Sequence, residues 1–188
     1  MSEDKSNIFD FLQQSSSAAS DYVKLQDGEQ CSLRLLSTPV MGYELFVEGK
    51  PIRWESDAPR PEQAISDEKP KKFVAFVVYQ YAGQSDSGRI KIWSFSQKKI
   101  VNQMVMLFKE EHWSAYELKL RRKGTGMQTD YDLTGIKSPI EDTLLEFAAD
   151  AKKYIDLTKL YTGENPFLAD LPEVEAKRAK QEPTDLPF

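Results

Sequence analysis

The chain is nearly devoid of the side chains from which metal sites and covalent catalysts are built. Cys31 is its one cysteine and His112 its one histidine in 188 residues. A lone cysteine excludes an internal disulfide, and one thiol with one imidazole cannot assemble a zinc or haem centre, so no metal site and no cofactor is expected. A serine or cysteine hydrolase of the usual kind needs a histidine base. His112, between Glu110-Glu111 and Trp113, reads instead as a surface or loop residue, and no catalytic residue is assigned. The carboxylate pairs Glu110-Glu111 and Asp130/Asp132 have no further acids clustered with them and read as solvated surface. No apolar run approaches the length of a bilayer, and Met1-Ser2-Glu3-Asp4-Lys5-Ser6 is polar where a signal peptide would be basic and then apolar. A cytoplasmic location is therefore the expectation.

What is present suits one domain with appendages. Hydrophobic residues make up 40% of the chain, enough for a core, and Cys31 fits it as a small buried residue of a strand. The net charge is -5, but its distribution matters more than its sum. Lys and Arg against Asp and Glu number 2 to 5 in residues 1–27, 16 to 14 in 28–135 and 7 to 11 in 136–188. A mildly basic centre lies between acidic flanks, so one part can bind a polyanion while another competes for the same groove.

Residues 1–27, with the run Ser15-Ser16-Ser17-Ala18-Ala19-Ser20, read as a flexible arm. Extended segments follow at Ser32 to Ser37, Tyr43 to Val47, Ile52 to Trp54, Lys72 to Tyr81 and Arg89 to Phe95, the last two joined by a loop over 82–88. Ile100, Val101, Met104, Val105, Leu107 and Phe108 recur at helical spacing behind Ser96 as N-cap, which predicts an amphipathic helix plugging one end of a sheet. Ala115 to Lys123 and Met127 to Thr134 alternate about Gly124-Thr125-Gly126, a second hairpin. Pro139 begins a further helix within an extension spanning 136–162, and 163–188 reads as a disordered acidic interaction tail. The fold class is mainly β. Strands, a hairpin, one helix and another hairpin fit a five-stranded oligonucleotide-binding (OB) barrel over 28–135, with one or two helices and flexible acidic ends. A five-stranded α+β domain is the other architecture compatible with this order.

Successive strand residues point to opposite sides. Val74, Phe76 and Val78 suit an interior, and opposite them stand Phe73, Val77, Tyr79 and Tyr81. Ile90 and Ile92 likewise oppose Arg89, Lys91, Trp93 and Phe95, while Leu118 and Leu120 oppose Lys119, Arg121 and Lys123. Each strand thus has an apolar face and a face of rings, cations or both. Single-stranded nucleic acid needs this combination: cations along its phosphates and rings on which unpaired bases stack. Arg53-Trp54 and Lys71-Lys72-Phe73 repeat it, and Arg121-Arg122-Lys123 before Gly124-Thr125-Gly126 forms a basic finger. Aromatic pairs also stabilise sheets, and surface cations also serve solubility alone. On that second reading the barrel is a protein-interaction or assembly adaptor that binds no nucleic acid.

The segments Leu33-Arg34-Leu35-Leu36-Ser37, Lys50-Pro51-Ile52-Arg53-Trp54, Pro70 to Tyr79, Lys91-Ile92-Trp93 and Tyr116 to Gly126 resemble the bacteriophage single-stranded DNA-binding proteins with an OB barrel. The resemblance spans roughly 28–135. Asp185-Leu186-Pro187-Phe188 is similar to the Asp-Ile-Pro-Phe tip of bacterial single-stranded DNA-binding proteins, although the tail before it is less densely acidic. The resemblance implies a non-enzymatic protein of the host-cell cytoplasm that coats unpaired DNA during phage replication, recombination and repair. It implies phosphate contacts by Arg53, Lys71, Lys72, Arg89, Lys91, Lys119, Arg121, Arg122 and Lys123, and base stacking on Trp54, Phe73, Tyr79, Tyr81 and Trp93. Asp185, Leu186, Pro187 and Phe188 would recruit a polymerase, helicase, primase or recombinase.

Overall fold

The computed structural model describes residues 21–83 and 88–174. Seven strands lie among them: β1 (Gln30–Leu35), β2 (Val40–Val47), β3 (Lys50–Glu55), β4 (Lys71–Gln80), β5 (Arg89–Phe95), β6 (Tyr116–Lys123) and β7 (Asp130–Lys137). The α-helices among the described residues are α1 (Lys98–Glu110), between β5 and β6, then α2 (Asp142–Asp150) and α3 (Lys159–Thr162). The fold is mainly β, as the sequence implies. The strands form one antiparallel sheet in the order β3-β2-β4-β1-β6-β7, with β5 on the other side of β4. No ladder joins β5 to β7 among the described residues, so hydrogen bonding draws an open seven-stranded sheet and not a closed barrel of five.

Two features lift the strand number above five. β1 and β2 run in line along one edge of β4, where Leu35 faces Val78 and Val40 faces Ala75. Between these pairs Leu36, Ser37, Thr38 and Pro39 stand against Phe76 and Val77 alone, and Pro39 has no N–H to give a ladder. The Ser37 hydroxyl accepts the Val77 N–H at 2.9 Å, and the Leu36 N–H reaches the Val77 carbonyl at 2.8 Å. β2 then folds back on β3 through Glu48-Gly49, whose φ angles of 50° and 78° are both positive. A two-residue turn of this kind matches the twist of the strands it joins, and glycine adopts it without a steric penalty.

The sheet is buried on both sides around β4, which accounts for the unbroken apolar stretch from Phe73 to Tyr79. On the inner face Leu33, Leu35, Phe76, Trp93, Leu118 and Leu120 pack beneath Ile100 and Met104 of α1. Gly135 of β7 makes room for that helix, since a Cβ there would lie 2.9 Å from Leu107 Cδ2. On the outer face Phe73, Val77, Tyr79, Tyr81, Ile90 and Ile92 lie under Leu144, Phe147, Ile155, Leu157 and Leu160 of the segment after β7. A third cluster joins Leu45 and Trp54 to Ala64 of the loop that follows β3.

Some boundaries differ from the expected ones. Gln97, without a side-chain cap bond, precedes α1 where Ser96 was the expected N-cap. Glu141 precedes α2, which begins three residues past Pro139. Residues 21–27, the end of the expected arm, form a strap with the two residues that follow: Val23 and Asp21 hydrogen-bond Ile92 on the free edge of β5, and Gly28 and Glu29 bond Arg122 of β6. Packing also continues past 163, where the tail was placed, because Pro166 is buried and Phe167 bridges to Ile155.

Candidate nucleic-acid interface

The alternation of β4 and β5 is the expected one, but the face of rings it creates is dry. Phe73 is 1% exposed, Tyr79 2%, Tyr81 5%, Trp93 3% and Trp54 7%. Phe73, Tyr79 and Tyr81 lie under the segment after β7, Trp93 belongs to the inner core, and Trp54 to the cluster beneath the β3–β4 loop. Burying five large apolar side chains of that segment contributes at most about 8–15 kcal/mol, as much as the net stability of a whole domain. The cover is therefore part of the fold and not a lid. As the chain is folded, none of these five rings offers a face to a base.

A polar network fixes the cover in place. Arg34 of β1 is fully buried, and its guanidinium donates to the Ser138 carbonyl at 2.9 Å, the Ser138 hydroxyl at 3.1 Å and the Pro139 carbonyl at 3.2 Å. Its Nε donates to the Tyr81 hydroxyl at 3.3 Å, and that hydroxyl donates to Glu141 at 2.8 Å. Burial pushes the Tyr81 hydroxyl well above its ordinary pKa, so it stays a donor. The sequence does carry a trace of this network: from Cys31 to Leu35 the residues of β1 other than Arg34 are apolar or small.

The expected cations divide by partner. Arg53 is held by buried Glu44 at 2.7 Å and lies 4.5 Å from the Phe73 ring centroid. Arg122 donates to the Leu25 carbonyl at 2.6 Å and so secures the strap. Lys123 shares Asp132 with Lys99 of α1, and Lys99 also binds Asp130 at 2.6 Å. The hydrogen bonds from Lys123 and then Lys99 hold the Asp132 carboxyl down to about 2. Lys91 is half-buried on the inner face opposite Val78, and Lys119 is half-buried opposite Ser32 and Thr134. Lys71, Lys72, Arg89 and Arg121 are exposed, and none of the four makes an ion pair among the described residues. Asp185, Leu186, Pro187 and Phe188 lie outside the described residues.

Val105, expected on the apolar side of the helix, is half exposed, and two further exposed apolar side chains were assigned no role by the sequence pattern. Phe46, near the tip of the β2–β3 hairpin, is 53% exposed and is the one aromatic among the large hydrophobics that are exposed in the described residues. Met127, in the loop between β6 and β7, is fully exposed. Cys31 is buried as expected, and burial pushes its thiol up to about 12, which leaves it inert. Among the described residues no group of three or more His, Cys, Asp and Glu side chains is placed to hold a metal ion, and no helix is long and apolar enough to cross a membrane. No family model matches this chain, and no curated protein or solved structure does.

Proposed function

We propose that the protein binds single-stranded DNA without sequence preference and coats it during phage replication and recombination. The observation that carries this reading is the exposure of Lys71, Lys72, Arg89 and Arg121, without ion-pair partners among the described residues, on a chain of net charge -5. Cations left free on an acidic protein are available to phosphates. The adaptor alternative relied on the aromatic strand faces for subunit packing, and those faces are already covered within the chain, by the segment after β7, by α1 and by the β3–β4 loop.

We read the architecture as an OB barrel with a split wall. In favour are the collinear β1 and β2 standing for one long bent strand, the antiparallel pairing of β1 with both β4 and β6, and the helix between β5 and β6. The split falls between β5 and β7, and the strap of residues 21–29 runs along it from β5 to β6. The tip Asp185-Leu186-Pro187-Phe188 is proposed to recruit replication or recombination enzymes and to compete with DNA for the basic surface.

Fluorescence anisotropy of a labelled oligo-dT tests the binding. Saturable binding that weakens steeply between about 50 and 200 mM salt is expected; no salt-sensitive binding would contradict the reading. Deleting residues 185–188 is expected to leave DNA affinity equal or higher, and lower affinity would contradict a competing tip.

A further inference from the structure

We infer that Phe46 is the base-stacking residue of this interface and that it confers preference for single over double strands. The inference rests on the single-stranded DNA reading, and it answers a problem the fold creates for that reading. Stacking needs a ring with an open face, and all five rings expected to stack on bases, Trp54, Phe73, Tyr79, Tyr81 and Trp93, are buried. Among the described residues Phe46 is the one aromatic of the exposed large hydrophobics, at 53%.

Its position places it near two of the four cations without ion pairs among the described residues, Lys71 and Lys72. β4 begins at Lys71, opposite Glu44, so the hairpin from Leu45 to Ile52 overhangs the end of β4. Side chains directly opposite in antiparallel strands share a face. Phe46, opposite Pro51, therefore lies on the same face as Glu44, Arg53 and Lys71. Lys72 and Lys50 are exposed on the other face of the same corner. The Arg53–Glu44 pair cancels its own charge, and Lys71 remains for a phosphate beside the ring.

The ring is mounted rigidly. Six register pairs zip β2 to β3 behind a tight Glu48-Gly49 turn, so a base can stack without ordering a loop first. Nor does Phe46 belong to a protein-docking patch. Met41, the nearest exposed large hydrophobic along the strand, points to the opposite face, and a docking patch needs several hundred Å² of contiguous apolar surface. A base paired within a duplex hides its face in the stack, so the ring can act only on unpaired DNA.

The test compares wild type with Phe46→Ala, Phe46→Leu and Phe46→Trp on labelled oligo-dT and on a duplex of equal length, with a melting curve for each protein. Phe46→Ala and Phe46→Leu are expected to lose about 5- to 150-fold in oligo-dT affinity with unchanged melting temperature and unchanged duplex binding. Phe46→Trp is expected to bind as wild type and to show quenching of the added indole by DNA. Wild-type binding with unaltered affinity in Phe46→Ala, or with full affinity in Phe46→Leu, overturns the role of the ring while leaving the DNA reading intact. Failure of the wild type to bind oligo-dT overturns both.

Discussion

Trp93 and Phe46 show how differently two rings can be used by one sheet. Trp93 packs on Phe95 with ring centroids 4.4 Å apart and is 3% exposed, so Trp93→Ala removes core volume. It is expected to cost about 3–5 kcal/mol in urea unfolding. Unchanged stability together with weakened DNA binding would mean that Trp93 is a surface ring after all. Strand alternation did identify which residues share a side with Trp93, because a period of two is fixed by backbone geometry. It could not tell which side faces water, since that depends on chain segments far away in sequence. Arg53 carries the same lesson: its neighbour Trp54 suggested a cation beside a stacking ring, but the partner that claims it is Glu44, nine residues earlier and directly opposite across the hairpin.

The decisive element is the segment that follows β7. Ile140, Leu144, Leu145, Phe147 and Ala148 were legible as a further helix, but nothing local states that Leu144 and Phe147, with Ala151, Ile155 and Leu160 beyond them, lie on β4 and β5. The long-range signal is Arg34, whose burial is tolerable only because Ser138, Pro139 and Tyr81 accept its protons and Glu141 lies 4.0 Å away. A chain truncated after Lys137 loses the cover and, of these partners, keeps only Tyr81. It is expected to aggregate or to lose its cooperative unfolding transition, as followed by light scattering and circular dichroism. A soluble, cooperatively folding fragment that binds oligo-dT more tightly would show that the segment is a removable lid. The strap of residues 21–29 was hidden from the sequence for a related reason. Its hold on Ile92 and on the Arg122 backbone is made by main-chain groups, which leave no side-chain pattern; the Arg122 side chain reaching Leu25 and the Asp27 carboxylate accepting the Gly124 N–H at 2.6 Å add to it.

For the whole molecule, charge is arranged by end more than by sum. At the β6–β7 end, Asp130 and Asp132 engage Lys99 and Lys123, whereas at the start of β4 the side chains of Lys71 and Lys72 are free of ion pairs among the described residues. The basic centre was legible in the segment counts; which cations are spent on carboxylates was not, because Arg53–Glu44 and Lys123–Asp132 depend on how neighbouring strands pair and Lys99 reaches Asp130 and Asp132 from α1. The measurement that bears most directly on the central claim is the slope of log affinity for oligo-dT against log salt, in wild type and in Lys71→Glu/Lys72→Glu. With Lys71, Lys72, Arg89 and Arg121 each neutralising one phosphate, the wild-type slope is expected near -3, and the double variant is expected to flatten it by at least about 1 and to weaken binding. A flat salt dependence in the wild type, or a double variant that retains both slope and affinity, would contradict the account.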